Sequence, residues 1–199
     1  MQDNPLRELA DFGQSVWIDM ISRRMISSGA LEELIRRDGV RGVTSNPAIF
    51  EKAIGHSHDY DESIRALAVQ EKNAEAICEA LMVEDIRRAA DVLRPVYERL
   101  QGKDGFVSFE VSPHLARDTG RTVAEARRLW REVGRPNLLI KVPATPEGLP
   151  AIQQLLSEGI NVNVTLLFGL SRLRGFGGVS VRRRGGPDWA EQRHRVGLG

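Results

Sequence analysis

The chain has 199 residues, of which 41% are hydrophobic and 6% aromatic, and its formal net charge at pH 7 is +1. A chain of this length can bury roughly 70% of the surface that its unfolded form exposes, so its core needs no disulfide or metal for support. The near-zero net charge excludes an electrostatic footprint for DNA or RNA over the chain as a whole, and we expect no nucleic-acid partner.

The cysteine content and the first residues predict a cytoplasmic protein. Cys78 is the single cysteine and cannot form an intramolecular disulfide, which is typical of a reducing compartment. The chain begins with acids where a signal peptide needs a basic end. Its apolar runs also fall short of the roughly 18 residues of a membrane span. We therefore expect neither secretion nor a membrane partner.

Short apolar runs alternate with longer helical segments over the first 170 residues. The apolar runs predict strands at 15–20, 42–45, 105–111, 138–142 and 161–168. The helical segments end at Gly39, cover 59–100 with a break or kink at Pro95, and follow Thr122 and Thr145 as expected N-caps.

This alternation indicates parallel strands joined by helical crossovers, in an open α/β sheet or a (β/α) barrel. Two observations favour the barrel. No glycine-rich turn follows the first strand, where Asp19 precedes Met-Ile-Ser-Arg-Arg, and this disfavours a dinucleotide-binding fold. One face of each of three strands, 15–20, 105–111 and 161–165, becomes polar toward its carboxyl end, as a site at the rim of a barrel requires.

Lys141 is the most informative single residue, because it interrupts the apolar run 138–142. A buried ammonium group is costly, so such a lysine either pairs with a carboxylate or gives up its proton. The deprotonated amine is a nucleophile that can form a Schiff base with a carbonyl compound. The alternative is a lysine at the rim whose stem packs while its ammonium group reaches water.

Two carboxylates and several amides share the polar strand faces. Asp19 and Glu110 end the first and third strands, where they can move protons for a Schiff-base enzyme. Either acid alone could instead pair with an arginine or cap a helix. Asn46 precedes a proline and is a turn former or a ligand. Asn163 and Thr165 carry an amide and a hydroxyl suited to sugar hydroxyls.

No other residues point to a metal or cofactor site. His56 and His58 flank a serine in a loop without a carboxylate pattern for metal binding. The sequence also has no phosphate-binding P-loop, nucleophile elbow or metalloprotease helix. We expect neither a metal nor a cofactor.

Five segments resemble the successive strand signatures of transaldolases of the actinobacterial type: SVWIDMISR, GVRGVTSNPAIFEKAI, VSFEVSPHLARDT, NLLIKVPATPEGLPAI and INVNVTLLFGL. The resemblance runs from about residue 5 to about residue 173, with Asn46, Glu110 and Lys141 in the spacing of that family. It implies a (β/α)8 barrel, of which this chain would hold about the first five β/α units. It also implies a cofactor-free enzyme of the pentose phosphate pathway that acts on sugar phosphates.

The resemblance also implies residue roles. Lys141 would form a Schiff base with a ketose phosphate such as sedoheptulose 7-phosphate or fructose 6-phosphate. Asp19 would take the C4 hydroxyl proton as the C3–C4 bond breaks, and an aldose phosphate would then accept the dihydroxyacetone unit. Glu110 would move protons through a water that Thr165 helps to hold.

The resemblance further implies that Asn46 and Asn163 would hydrogen-bond the three-carbon group on the lysine. Glyceraldehyde 3-phosphate or erythrose 4-phosphate would be the acceptor.

The last part of the chain departs from the family. Residues 171–199 hold seven arginines against two acids, and residues 174–199 match nothing in transaldolases. We expect a change of reading frame near residue 174, so that residues 1–173 form the barrel part and 174–199 a disordered Arg/Gly-rich tail. Without the later strands, the chain is expected to have impaired activity.

Two alternatives stay open. A shorter relative that cleaves fructose 6-phosphate has about this length, but lacks a long insertion between the second and third strands, where 64 positions separate Asn46 from Glu110 here. The chain could instead be a non-catalytic remnant whose basic tail binds partners.

Overall fold

The structure is a computed structural model and describes residues 4–70, 73–168 and 197–198. Its helices are α1 (Pro5–Glu8), α2 (Arg23–Ser27), α3 (Ala30–Asp38), α4 (Pro47–Gly55), α5 (Asp61–Ala68), α6 (Ala74–Arg99), α7 (Thr119–Val133) and α8 (Gly148–Ser157). Its strands are β1 (Trp17–Ile18), β2 (Gly42–Thr44), β3 (Phe106–Glu110), β4 (Leu138–Pro143), β5 (Val162–Thr165) and β6 (Gly197–Leu198). Short 3-10 helices lie at His58–Tyr60 and Pro113–Leu115.

The chain packs as two compact units. Among the described residues, the first unit comprises residues 4–70, 73–109 and 133–138, and the second comprises residues 110–132, 139–168 and 197–198. In the first unit β1, β2 and β3 are parallel neighbours in that order. In the second unit β4, β5 and β6 are parallel neighbours. There the N–H of Val111, just after β3, also donates to the carbonyl of Lys141 at 3.2 Å.

Within each unit, each strand therefore lies beside the next strand of the sequence. Helices connect β1 to β2, β2 to β3, β3 to β4 and β4 to β5. This order is typical of a (β/α) barrel and differs from a doubly wound sheet, in which the order reverses at a switch point. The predicted α/β class with parallel strands is confirmed.

The predicted tail falls almost wholly outside the described part of the chain. Its expected boundary at residue 174 and residues 169–196 are not among the described residues. The two-residue strand β6, which pairs with β5 at Asn163 and Val164, was not predicted.

Four predicted strands are longer than the observed ones, two of them by only one or two residues and two by four residues. The expected strand 15–20 forms ladder pairs only at Trp17 and Ile18. The expected strand 161–168 ends at Thr165, because Leu166 has a φ of 58°, in the left-handed region that ends an extended strand. Leu166 and Phe168 are 58% and 88% exposed, and the predicted extension of this strand to residue 168 was wrong.

The helix α6 is a single helix of 26 residues that passes through Pro95. Of the predicted break or kink at Pro95, the break was therefore wrong. Buried side chains recur at the three- and four-residue spacing of one helical face, including Ile86, Ala90 and Leu93. Pro95 lies on the exposed side, where water can reach the carbonyl that lacks its N–H partner.

The expected N-cap at Thr122 was also wrong. The helix α7 begins three residues earlier, at Thr119. The carboxylate of Asp118 accepts the N–H of Arg121 at 2.9 Å, which is the bond of an N-cap. The buried hydroxyl of Thr122 instead donates to the carbonyl of Leu115 at 2.9 Å.

A buried polar network fixes the start of α2 in the first unit. The guanidinium of Arg23 donates to Asp85 at 3.0 Å, Glu84 at 2.6 Å and Ser63 at 2.7 Å. The hydroxyl of Tyr60 accepts the main-chain N–H of Arg23 at 2.9 Å and donates to Asp85 at 2.7 Å. Burial raises the pKa of Tyr60 well above its ordinary value, so the phenol remains a donor. Burial also raises the pKa of Asp85, while the hydrogen bond from Tyr60 and the Arg23 charge lower it.

Among the described residues, no helix combines the length and the apolar character needed to cross a membrane.

Candidate functional site

A lysine and a carboxylate of the second unit meet, Lys141 within β4 and Glu110 as the last residue of β3. The Nζ atom of Lys141 lies 3.2 Å from Oε2 of Glu110. The side chains are only 14% and 19% exposed, so the pair is partly shielded from water. An ammonium group and a carboxylate at this distance can exchange a proton directly, which is the step that turns a lysine into a nucleophile.

The neighbouring strand β5 adds two polar side chains. Asn163 is the register partner of Lys141 and Thr165 is the register partner of Pro143. Partners in a parallel pair point to the same face of the sheet, so Asn163 and Thr165 lie on the face of Lys141. They are 5% and 9% exposed. The structure thus brings four of the six predicted site residues together: Lys141, Glu110, Asn163 and Thr165.

The other two predicted residues belong to the first unit, each just after a strand. Asp19 is exposed and directly follows β1. Asn46 is half-buried and caps α4, because its Oδ1 atom accepts the N–H of Ile49 at 3.0 Å. The strands β1 and β2 are parallel with Ile18 opposite Val43, so both residues lie at the same edge of that unit's sheet.

The loops after β3 and β4 are joined by two threonines. The hydroxyl of Thr145 donates to the carbonyl of Ala116 at 2.6 Å, and the hydroxyl of Thr119 donates to the carbonyl of Glu147 at 2.6 Å. Thr145 also accepts the N–H of Gly148 at 2.9 Å. The helix α8 nevertheless begins at Gly148 with Glu147 as its N-cap residue, two residues later than the predicted N-cap at Thr145.

Neither bond between these loops was predicted from the sequence. The sequence gives one indication of these bonds: a threonine follows each of the two strands that carry Glu110 and Lys141.

Within residues 4–70, 73–168 and 197–198, no three histidine, cysteine or acidic side chains converge as metal ligands. His58 is fully exposed and faces Asp61 at 3.1 Å.

The fold and the site together define a class: an α/β chain with parallel strands in (β/α)-barrel order, whose strand ends carry a lysine, carboxylates and amides. Residues 16–175 match the model of the family described as Transaldolase/Fructose-6-phosphate aldolase. The chain belongs to this family.

Relatives named transaldolase support the assignment. The chain is 58% identical over 171 residues to that of Thermobifida fusca, which covers 86% of this chain and 46% of the relative. It is 51% identical over 170 residues to that of Trichodesmium erythraeum, covering 85% and 45%. It is 49% identical over 182 residues to that of Thiobacillus denitrificans, covering 92% and 51%. The chain thus spans about half the length of the curated relatives it matches.

Proposed function

We propose that this chain carries the Schiff-base chemistry of a transaldolase, in which a dihydroxyacetone unit passes from a ketose phosphate to an aldose phosphate. The observation that carries this proposal is the contact of 3.2 Å between Lys141 in β4 and Glu110 at the end of β3, largely shielded from water. The carboxylate beside Lys141 can accept its proton, and polar side chains of β5 lie on the same face of the sheet.

The first step would form the covalent intermediate. Glu110 takes a proton from Lys141, and the free amine attacks the C2 ketone of sedoheptulose 7-phosphate or fructose 6-phosphate. The resulting carbinolamine loses its hydroxyl as water, for which Glu110 returns the proton, to leave the Schiff base. We assign Thr165 to the water through which Glu110 acts, because Thr165 lies on the face of Lys141.

The second step would break the C3–C4 bond. We assign Asp19 to accept the C4 hydroxyl proton, which releases the aldose product and leaves the electron pair on the enamine of the lysine-bound unit. Asn46 and Asn163 hydrogen-bond the hydroxyls of the dihydroxyacetone group that is bound to the lysine. Glyceraldehyde 3-phosphate or erythrose 4-phosphate then accepts it, and hydrolysis of the new Schiff base frees Lys141.

The helical segment between β2 and β3 favours transaldolase over fructose 6-phosphate aldolase. Residues 47–104 contain α4, α5 and the 26-residue α6, a long insertion that the shorter relatives that cleave fructose 6-phosphate are expected to lack. Product analysis separates the two activities: an aldolase releases dihydroxyacetone without an acceptor, whereas a transaldolase needs the aldose phosphate. We place this chemistry in the pentose phosphate pathway of the cytoplasm.

Borohydride trapping tests the proposal. The chain is incubated with fructose 6-phosphate and sodium borohydride, and the modified peptide is located by mass spectrometry. We expect the reduced adduct on Lys141, and neither on the exposed Lys52 and Lys103 nor in the Lys141→Arg variant. Trapping at all lysines alike, or none on Lys141, would refute the proposed chemistry.

A further inference from the structure

The two loops that follow Glu110 and Lys141 are held together by a reciprocal pair of hydrogen bonds. Thr145, in the loop after β4, bonds the carbonyl of Ala116 in the loop after β3. Thr119, at the end of the loop after β3, bonds the carbonyl of Glu147 in the loop after β4. Each loop therefore supplies one hydroxyl donor and one carbonyl acceptor, and both distances are 2.6 Å.

These bonds lie beyond the last strand contact that aligns the lysine with the carboxylate. The N–H of Val111 donates to the carbonyl of Lys141 at 3.2 Å, and Glu110 is the last residue of β3. Past this point β3 has ended, and the two threonine bonds join the loops to each other. Ala116 follows Glu110 by six residues and Thr145 follows Lys141 by four, so these bonds lie close along the chain to the contact between the two side chains.

The geometry of α8 makes the restraint stiff. The hydroxyl of Thr145 accepts the N–H of Gly148 while it donates to Ala116. A methyl group on Gly148 would come within 2.1 Å of the carbonyl oxygen of Pro143. The start of α8 is thus packed against the end of β4, and the Thr145 hydroxyl ties both to the opposite loop.

We propose that Thr119 and Thr145 are positioning residues, which hold the two loops so that Glu110 stays within proton-transfer distance of Lys141. This inference rests on the proposed function for its catalytic meaning. The structural part, that the threonines control the contact between Lys141 and Glu110, stands on the hydrogen bonds alone.

The first measurement is the rate of borohydride trapping with fructose 6-phosphate. Thr145→Val and Thr119→Val keep the side-chain shape and remove the hydroxyl, and each is expected to slow trapping about fivefold, the effect of one ordinary hydrogen bond. Thr145→Ser keeps the hydroxyl and should restore the rate to within about twofold of the original. Ser157→Ala is the matched control, because it removes a bond of 2.7 Å to the carbonyl of Gln154 at the far end of α8.

The second measurement needs no sugar substrate. Competitive labelling with trace acetic anhydride reports the nucleophilicity of Lys141, with the exposed Lys52 and Lys103 as internal standards. Glu110→Gln removes the ion pair completely. The extent of Lys141 labelling in this variant is therefore the upper value with which the threonine variants are compared. We expect Thr145→Val to move Lys141 labelling at least threefold toward that upper value, and Ser157→Ala to leave it unchanged.

The two measurements separate the possible failures. Absence of trapping in the unmodified chain would refute the proposed function, while labelling would still decide the positioning role. Wild-type labelling of Lys141 in both threonine variants would overturn the inference, as would a Glu110→Gln variant that labels like wild type. Thr119→Val loses one bond where Thr145→Val loses two, so it provides the test if Thr145→Val fails to fold.

Discussion

Tyr60→Phe removes one oxygen from the buried network of the first unit. That hydroxyl is the partner of the main-chain N–H of Arg23 at 2.9 Å. Arg23 is the first residue of α2, and an N–H in the first turn has no partner within its own helix. The same hydroxyl donates to the carboxyl group of Asp85 at 2.7 Å. The substitution therefore leaves one buried donor without a partner and weakens the hydrogen bonding of a buried acid.

The structure allows the cost to be estimated. A buried donor that loses its partner costs about 1–3 kcal/mol, and a hydrogen bond to a charged group contributes about 1.5–3 kcal/mol. Asp85 keeps its bond from Arg23 at 3.0 Å. We therefore expect the two losses together to lower the free energy of unfolding by about 3 kcal/mol, near the lower end of the two ranges added together. With a urea m-value of about 2 kcal/mol/M, the unfolding midpoint should fall by about 1.5 M.

Urea unfolding followed by far-UV circular dichroism measures this shift, and Tyr97→Phe is the matched control. The chain has two tyrosines, and the ring of Tyr97 packs edge-on against Phe106. No hydrogen bond joins its hydroxyl to another of the described residues. We expect Tyr97→Phe to change stability by less than about 0.5 kcal/mol. Equal midpoints for both variants would show that the Tyr60 network does not stabilise the unit.

Two further predictions concern a close contact and a surface ion pair. Gly42→Ala would place a methyl group 2.2 Å from the indole of Trp17, so it should lower the free energy of unfolding by about 2 kcal/mol. Gly55→Ala, which meets nothing within 4 Å, should leave urea stability unchanged or slightly higher, and equal losses would contradict the packing argument. Asp91→Asn should cost about 0.5–1 kcal/mol at pH 7, because the hydrogen bond from Arg135 lowers the pKa of Asp91 in the folded chain. A lowered folded-state pKa stabilises above the unfolded-state pKa, and this stabilisation is lost as the pH falls through the folded-state pKa, so the difference between the variant and the original chain should shrink with falling pH. Urea titrations at a series of pH values from 7 downward measure this, and a loss that stays constant over the series would refute it.

Strand positions could be predicted because their sequence signal is local. The run 138–142 is apolar except for Lys141, and it forms β4 with one additional residue. The ends of elements depended on interactions that a linear pattern does not contain. The left-handed φ of Leu166 ends β5 where hydrophobicity alone continued it. The exposure of Pro95 lets α6 pass through a residue that usually interrupts a helix.

The candidate site was predictable where residue type conflicts with position. A lysine in a buried strand and an acid at the end of another strand are each costly to bury, and the structure pairs them as Lys141 and Glu110. The threonine bonds between the loops could not be predicted in this way. Thr145 and Thr119 are ordinary loop and helix-start residues, and their partners are main-chain carbonyls of segments about 29 residues away, which no side-chain pattern reveals.

The hydrogen bond with which Asn46 caps α4 determines which polar group of its side chain stays available to a bound molecule. Asp, Ser or Thr would cap this helix about as well as Asn, so the stability of α4 does not by itself require an amide. Because the Oδ1 atom is engaged by the N–H of Ile49, the amide is held with its NH₂ group turned away from the helix as a pure donor. A chain with Asp at this position should fold normally, yet its carboxylate can only accept hydrogen bonds, where the amide of Asn46 offers a donor.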